Sequence, residues 1–286
     1  MQLSDGADAI AGDLPAAATR RIEVPLGAGE SLDSGVHRAS ALRIIRDAVS
    51  TALSAGADAE TAPAGAPATG SAATSTSAGI VVTIGGDCGV ELAPVARAVG
   101  LHDDLAVVWL DAHADLATPG DSVAGAFSDM VLRTLLGEGA DLLTPGPHQT
   151  LSPGSVVLAG TRSYDDAEES YIEDNGIRLV TVDQLQQGDD REQGGALVSA
   201  IAATGAKSVY LHVDLDVLDP AEIAGISYPE PFGVTVSALV ENITSVRRAF
   251  TLVGAGITQF APSSPDTAAD DLSAVLRIIS ALTRPL

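Results

Sequence analysis

The sequence predicts an α/β fold in which a mostly parallel sheet is covered on both faces by helices. Three observations carry that prediction. Apolar runs of strand length alternate with amphipathic stretches of helix length along most of the chain. The run 105–110 is apolar throughout and 80–84 is β-branched throughout, as suits strands buried on both faces. Two runs end directly on clusters of acids, and open α/β sheets gather their ligands at strand carboxyl ends. A length of 286 residues suits one large α/β domain with ample core.

Taken in order, residues 1–19 have little periodicity and read as a loose tail. Residues 20–24 read as a first strand, followed by Pro25-Leu-Gly-Ala-Gly29, which lacks both G-x-G-x-x-G and G-K-[ST] and so carries no nucleotide signature. Leu42, Ile45, Val49 and Leu53 recur at helical spacing, predicting an amphipathic helix over 38–53. Residues 54–78 are dominated by Ala, Gly, Ser, Thr and Pro and read as a flexible insertion within a single domain over 20–286. Strands follow at 80–84, 105–110, 156–160, 177–180, 209–213 and 252–258. Helices are predicted at 91–99, 129–136, 167–174, 196–203, 236–250 and 269–282.

Fifteen basic against 38 acidic residues give a formal charge of −23, which opposes binding to nucleic acid or an anionic membrane. The charge suits a cationic substrate, and equally a solvated surface that keeps the protein in solution. With no run of 18 apolar residues and no basic segment leading into an apolar one, the expectation is a soluble, cytoplasmic protein. The single cysteine, Cys88, excludes an internal disulfide.

The stretch Asp111-Ala112-His113-Ala114-Asp115 closes the run 105–110. In extended backbone, residues i, i+2 and i+4 share a face, so both acids and the imidazole would converge. A second piece, His212-Val213-Asp214-Leu215-Asp216, closes another apolar run. Either piece alone could be a polar strand end capping the next helix. Together they bring four buried acids around an imidazole, an arrangement that a cation must compensate. Oxygen-rich ligation with limited imidazole suits Mn²⁺ or a similar hard ion.

Gly85-Gly86-Asp87-Cys88, Asp111-Ala-His-Ala-Asp115 and Asp214-Leu-Asp216-Val-Leu-Asp219-Pro220 resemble, in order and spacing, the signature motifs of the arginase/agmatinase (ureohydrolase) family. The resemblance runs from about Val24 to the C-terminus. It implies a three-layer α/β/α fold, a pair of Mn²⁺ ions, hydrolysis of a guanidinium group to urea and an amine, and a homo-oligomer, trimer or hexamer. It implies further that Asp111 and Asp214 bridge both metals, that His113 and Asp216 complete one, and that Asp115 and Cys88 complete the other. Asp115 would also hydrogen-bond the attacking hydroxide.

Departures from the family pattern accompany the likeness. Cys88 stands where most members have histidine; a soft thiolate there would bias the position to a softer divalent ion, unless Cys88 is simply a small buried residue. His212 occupies the place of a small hydroxyl residue, as support behind the ligands, as an ordinary core histidine or as a ligand itself. Ala117 and Ala124 replace polar groups that hold a substrate carboxylate. Ser128 replaces a proton-shuttling histidine, and Gln259 a glutamate that pairs with the guanidinium. Asp165 and Glu168 match the acids near the substrate amino group. These residues imply a metal-dependent hydrolase of a guanidino or related C–N substrate other than unmodified L-arginine; the alternative is a non-catalytic homologue with a structural or regulatory role.

Overall fold

Six parallel strands form one sheet in a computed structural model that describes residues 3–25, 27, 29–61, 80–122, 124–187 and 195–286. The strands are β1 (Val81–Ile84), β2 (Leu105–Leu110), β3 (Val156–Ala159), β4 (Arg178–Val180), β5 (Ser208–Asp214) and β6 (Thr251–Thr258). Their spatial order is β1-β6-β5-β2-β3-β4. The chain leaves β2 toward β3 on one side and leaves β5 toward β6 on the other. The β2/β5 boundary is therefore the point where the winding reverses, and a crevice opens there beyond the strand carboxyl ends.

Helices close both faces. These are α1 (Leu3–Asp13), α2 (Ala39–Thr61), α3 (Leu92–Leu101), α4 (Val131–Leu135), α5 (Asp166–Asn175), α6 (Val182–Gln186), α7 (Gly195–Ala202), α8 (Val236–Ala249) and α9 (Pro265–Thr283). The period of two in the strands divides the core in two. Ala106, Val108, Leu110, Val209, Leu211 and Val213 face α1 and α6 to α9, while Val107, Trp109, Val156, Leu158 and Tyr210 face α2 to α5. Every residue of β2 and β5 is buried, which is why both runs are apolar on both faces up to His212 and Asp214.

Three expectations are corrected. Residues 3–13 are not loose: Ile10 is fully buried against the α9 side of the core, and Gly6 lies so close to the Phe260 carbonyl that a Cβ would overlap it. Residues 20–24 are irregular and partly exposed rather than a strand, with Arg21 paired to Asp8 and Arg20 donating to the Ala52 carbonyl. Helix α2 continues through Thr61, so the start of the expected insertion over 54–78 is helical; its remainder lies outside the described residues. Helix α6 was not anticipated, although Thr181 and Gln184 form a reciprocal capping box of the readable T-x-x-Q type. No helix among the described residues is long and apolar enough to cross a membrane.

Candidate metal centre

The two acidic pieces meet across the β2/β5 boundary, and the local backbone explains how. Asp111 follows β2 directly, with its N–H still bonded to the Ala159 carbonyl and its own carbonyl held by the Thr161 hydroxyl at 3.1 Å. Extended geometry ends there. The expected strand-like convergence of residues 111, 113 and 115 therefore does not arise from period two: the His113 N–H turns back to Asp111 Oδ1 at 2.6 Å, and Asp115 adopts a left-handed backbone, φ +53°. Asp214, the last residue of β5, accepts the Asp216 N–H at 2.9 Å and so caps the tight turn 215–217. That turn carries Asp216 back to β2, where Oδ1 accepts the Ala112 N–H at 3.0 Å and Oδ2 lies 3.0 Å from His113 Nδ1.

Two donor groups result. Cys88, Asp111, His212 and Asp214 each place one ligand atom within 4.8 Å of the others, and all four are buried. Asp111, His113 and Asp216 form the second group. Asp111 belongs to both. Asp115 is nearly buried beside them and accepts from Trp109 Nε1 at 3.3 Å, but it stands outside both close groups, where His212 takes the place foreseen for it. The Cys88 thiol donates to Asp214 Oδ2 at 3.0 Å, and the Thr258 hydroxyl donates to the same oxygen at 3.1 Å.

Charge is what this arrangement lacks. Burial, and then the neighbouring carboxylates, push Asp214 and Asp115 well above the ordinary carboxylate range, and Asp216 to about 6. Burial likewise lifts the Cys88 thiol. Burial opposes charge on His113, yet its bonds to Asp111 and Asp216 raise it to about 11; His212 rises to about 10 through Asp111 and Glu91. Protons shared between the acids and imidazoles would offset these buried anions, and a divalent cation would do the same in their place. The donors fit such an ion, since both ring nitrogens of fully buried His212 lack any hydrogen-bond partner.

A cavity of about 230 Å³ opens onto both groups, lined also by Asp115, Ala124, Ser128, Tyr228 and Gln259. A shallower groove of about 440 Å³ between α1 and α9 has only Asp5 and Asp8 as polar lining, so the smaller cavity is the candidate site. Gln259 has φ +64°, and its buried Oε1 has no hydrogen-bond partner. Ser128 donates to Asp129 at 2.8 Å. Ala117 packs toward the core rather than lining the cavity.

Asp165 and Glu168, expected beside a substrate amino group, do not line the cavity either. Asp165 accepts the Ala167 and Glu168 N–H groups, and Glu168 accepts those of Asp165 and Leu116, so both serve the N-terminus of α5.

Sequence reasoning passed over three contributors. Arg162 donates to the carbonyls of Asp216, Glu230 and Pro231 and ties the 228–231 loop to the metal turn. That loop sets Tyr228 edge-on to His113, with ring centroids 6.4 Å apart, and places Glu230 3.9 Å from His113 Nε2. Glu91 stands behind His212, with Oε1 3.5 Å from Nδ1. None of these belongs to a short motif; only the paired prolines Pro229 and Pro231 hinted at a fixed loop.

The model of the arginase family matches residues 11–282. The chain belongs to the arginase family. An arginase of Staphylococcus aureus (strain MRSA252) is 31% identical over 174 residues, 58% of this chain and 58% of that protein. The chain thus spans less than two thirds of that curated relative. Among solved structures, the arginase of Bacillus caldovelox superposes with a TM-score of 0.75 at 22% identity, covering 92% of this chain and 83% of the other. A formimidoylglutamase of Bacillus subtilis gives a TM-score of 0.67 at 15% identity, covering 98% and 81%. These likenesses show an arginase-type fold, and arginase-family proteins are metal dependent.

Proposed function

We propose that this arginase-family protein is a metal-dependent hydrolase that cleaves a C–N bond of a guanidino or related amidino compound, and that unmodified L-arginine is a poor substrate. The observation that carries the reading is the convergence of Asp111, Asp214, Asp216, Cys88 and His113 on one cavity at the winding reversal of the sheet. Family relatives named arginase and a neighbour named formimidoylglutamase support C–N hydrolysis as the reaction class. The ions implied are Mn²⁺, one or two per chain, with a softer divalent ion at the Cys88 position.

Bound divalent cations would lower the pKa of the attacking water and stabilise charge developing at the reacting carbon. Asp115, a carboxylate lining the cavity beside both donor groups, takes the proton released by the water and returns it to the departing nitrogen. Gln259 Oε1, buried and unpartnered, accepts one substrate N–H as a neutral oxygen. A weakly basic guanidine, such as an N-hydroxylated one, suits that neutral acceptor better than a full guanidinium cation does. Ala124 gives no polar hold on a substrate carboxylate, and Ser128 does not take up and release a proton near neutral pH as a histidine does. Each lost charge-assisted contact typically costs ~1.5–3 kcal/mol. Two or three together lower the rate on L-arginine by several powers of ten, at about 1.4 kcal/mol per decade.

The assay is urea or substituted-urea release from a panel of guanidino compounds by Mn²⁺-loaded protein. Turnover of L-arginine at ~10 per second would contradict the reading of Ser128 and Gln259. Those same replacements favour the second reading, a non-catalytic family member with a structural or regulatory role; release from no compound of the panel would select it. We further assign the protein to the cytoplasm as a homo-oligomer without nucleic-acid or membrane partners, in keeping with its charge of −23.

A further inference from the structure

Behind the cavity lies a buried polar row that the proposed reaction does not use. Trp109, His212 and Gly256 are register partners across β2, β5 and β6. The His212 ring lies flat on Trp109, centroids 3.6 Å apart. Above Gly256 sits Glu91, fully buried at the end of the turn that begins with Cys88. Its Oε2 accepts the Tyr210 hydroxyl at 2.6 Å, and its Oε1 faces His212 Nδ1 at 3.5 Å. A Cβ on residue 256 would lie 1.3 Å from Glu91 Oε1, so the glycine is what leaves room for the carboxylate.

The other ring nitrogen, Nε2, lies 3.6 Å from Asp111 Oδ2. Both separations exceed a hydrogen bond, and neither ring nitrogen nor Glu91 Oε1 has any other partner. The longer one fits another purpose. Donors at zinc bond lengths of about 2.0–2.3 Å, set tetrahedrally, are roughly 3.3–3.8 Å apart. The Nε2 to Asp111 distance of 3.6 Å falls within that span, Cys88 Sγ to Asp111 Oδ2, at 4.0 Å, is slightly wider, and Cys88 Sγ to Asp214 Oδ2, at 3.0 Å, is drawn closer by the thiol's hydrogen bond. A carboxylate behind the far nitrogen is the usual partner of a metal-binding histidine, because it fixes which nitrogen carries the proton.

Building on the metal-dependent reading above, we propose that His212 is a metal ligand: Cys88, Asp111, His212 and Asp214 form a four-donor position that prefers Zn²⁺ to Mn²⁺, and Glu91 orients the imidazole. A thiolate and an imidazole favour zinc, whereas Asp111, His113 and Asp216 offer only oxygen and imidazole and retain the hard-ion position.

The test is X-ray absorption of the full chain, freed of metal and reloaded with one equivalent of Zn²⁺ in excess Mn²⁺. One sulfur and one imidazole in the zinc shell are expected. Imidazole without sulfur would place zinc at the His113 position, and sulfur without imidazole would leave His212 out; either result overturns the proposal. Replacing the zinc with Co²⁺ should give a thiolate-to-metal charge-transfer band, and Glu91→Gln should weaken zinc binding 10–100-fold with Mn²⁺ binding unchanged. Zinc affinity equal to that of the parent chain in both Glu91→Gln and His212→Asn also overturns it. If either variant fails to fold, the spectrum of the unaltered chain decides. Guanidino hydrolysis by a protein whose zinc shell lacks sulfur would sink this inference alone. The predicted zinc shell in a protein that hydrolyses no guanidino compound would sink the functional reading alone.

Discussion

On the proposed reading, Cys88 sets which ion the deeper group accepts, since thiolates favour soft cations and Mn²⁺ favours oxygen and imidazole. Cys88→His should therefore raise Mn²⁺ affinity or stoichiometry in a calorimetric titration; identical curves for the two proteins would mean that Cys88 is not a donor. The clustering of Asp111, His113, Asp214 and Asp216 was legible because they close apolar strands in short motifs. Asp165 and Glu168 lie away from the cavity for a physical reason: an acid followed three residues later by Glu is also a helix capping box, and here backbone N–H groups at the start of α5 and at Leu116 take both side chains. Glu91 was illegible because its neighbours Tyr210, His212 and Gly256 come from strands far away in sequence.

Among the elements, β2 and β5 were readable almost to the residue, since a strand buried on both faces has nowhere to place a polar side chain before its end. Helix α1 was not, because one fully buried side chain, Ile10, anchors it and a single apolar position makes a weak periodic signal. Strand β6 carries a quieter signal in Gly254 and Gly256, which clear space for the Tyr210 ring and the Glu91 carboxylate. Gly256→Ala should displace Glu91 and break its bond to the Tyr210 hydroxyl. Overpacking and the lost bond together predict about 3 kcal/mol of destabilisation in urea unfolding. A loss under about 0.5 kcal/mol, the scale of an ordinary surface substitution, would show that the carboxylate is not confined there.

For the molecule as a whole, stability and metal binding are linked through the same protons. Asp214, Asp115 and Asp216 have raised pKa values in the metal-free fold, Asp216 to about 6, so the stability they contribute is present at low pH and is lost as pH rises through those values. His113 and His212, raised to about 11 and about 10, act with the same sign at higher pH. Asp111 is held below its ordinary value, so its contribution is constant above the usual carboxylate range. The metal-free protein should thus weaken from about pH 5 to 8, while the rise in melting temperature on adding Mn²⁺ grows over the same interval. A metal-induced shift that shrinks with pH would refute that linkage.

If the buried acids at the β2/β5 reversal hold divalent cations, metal content must follow them. Mass-spectrometric metal analysis of the Mn²⁺-loaded chain beside Asp214→Ala should find one or two ions per chain in the first and a clear loss in the second, because Asp214 belongs to the deeper donor group and its neighbours are organised around it. Equal metal content in the two proteins would contradict the account.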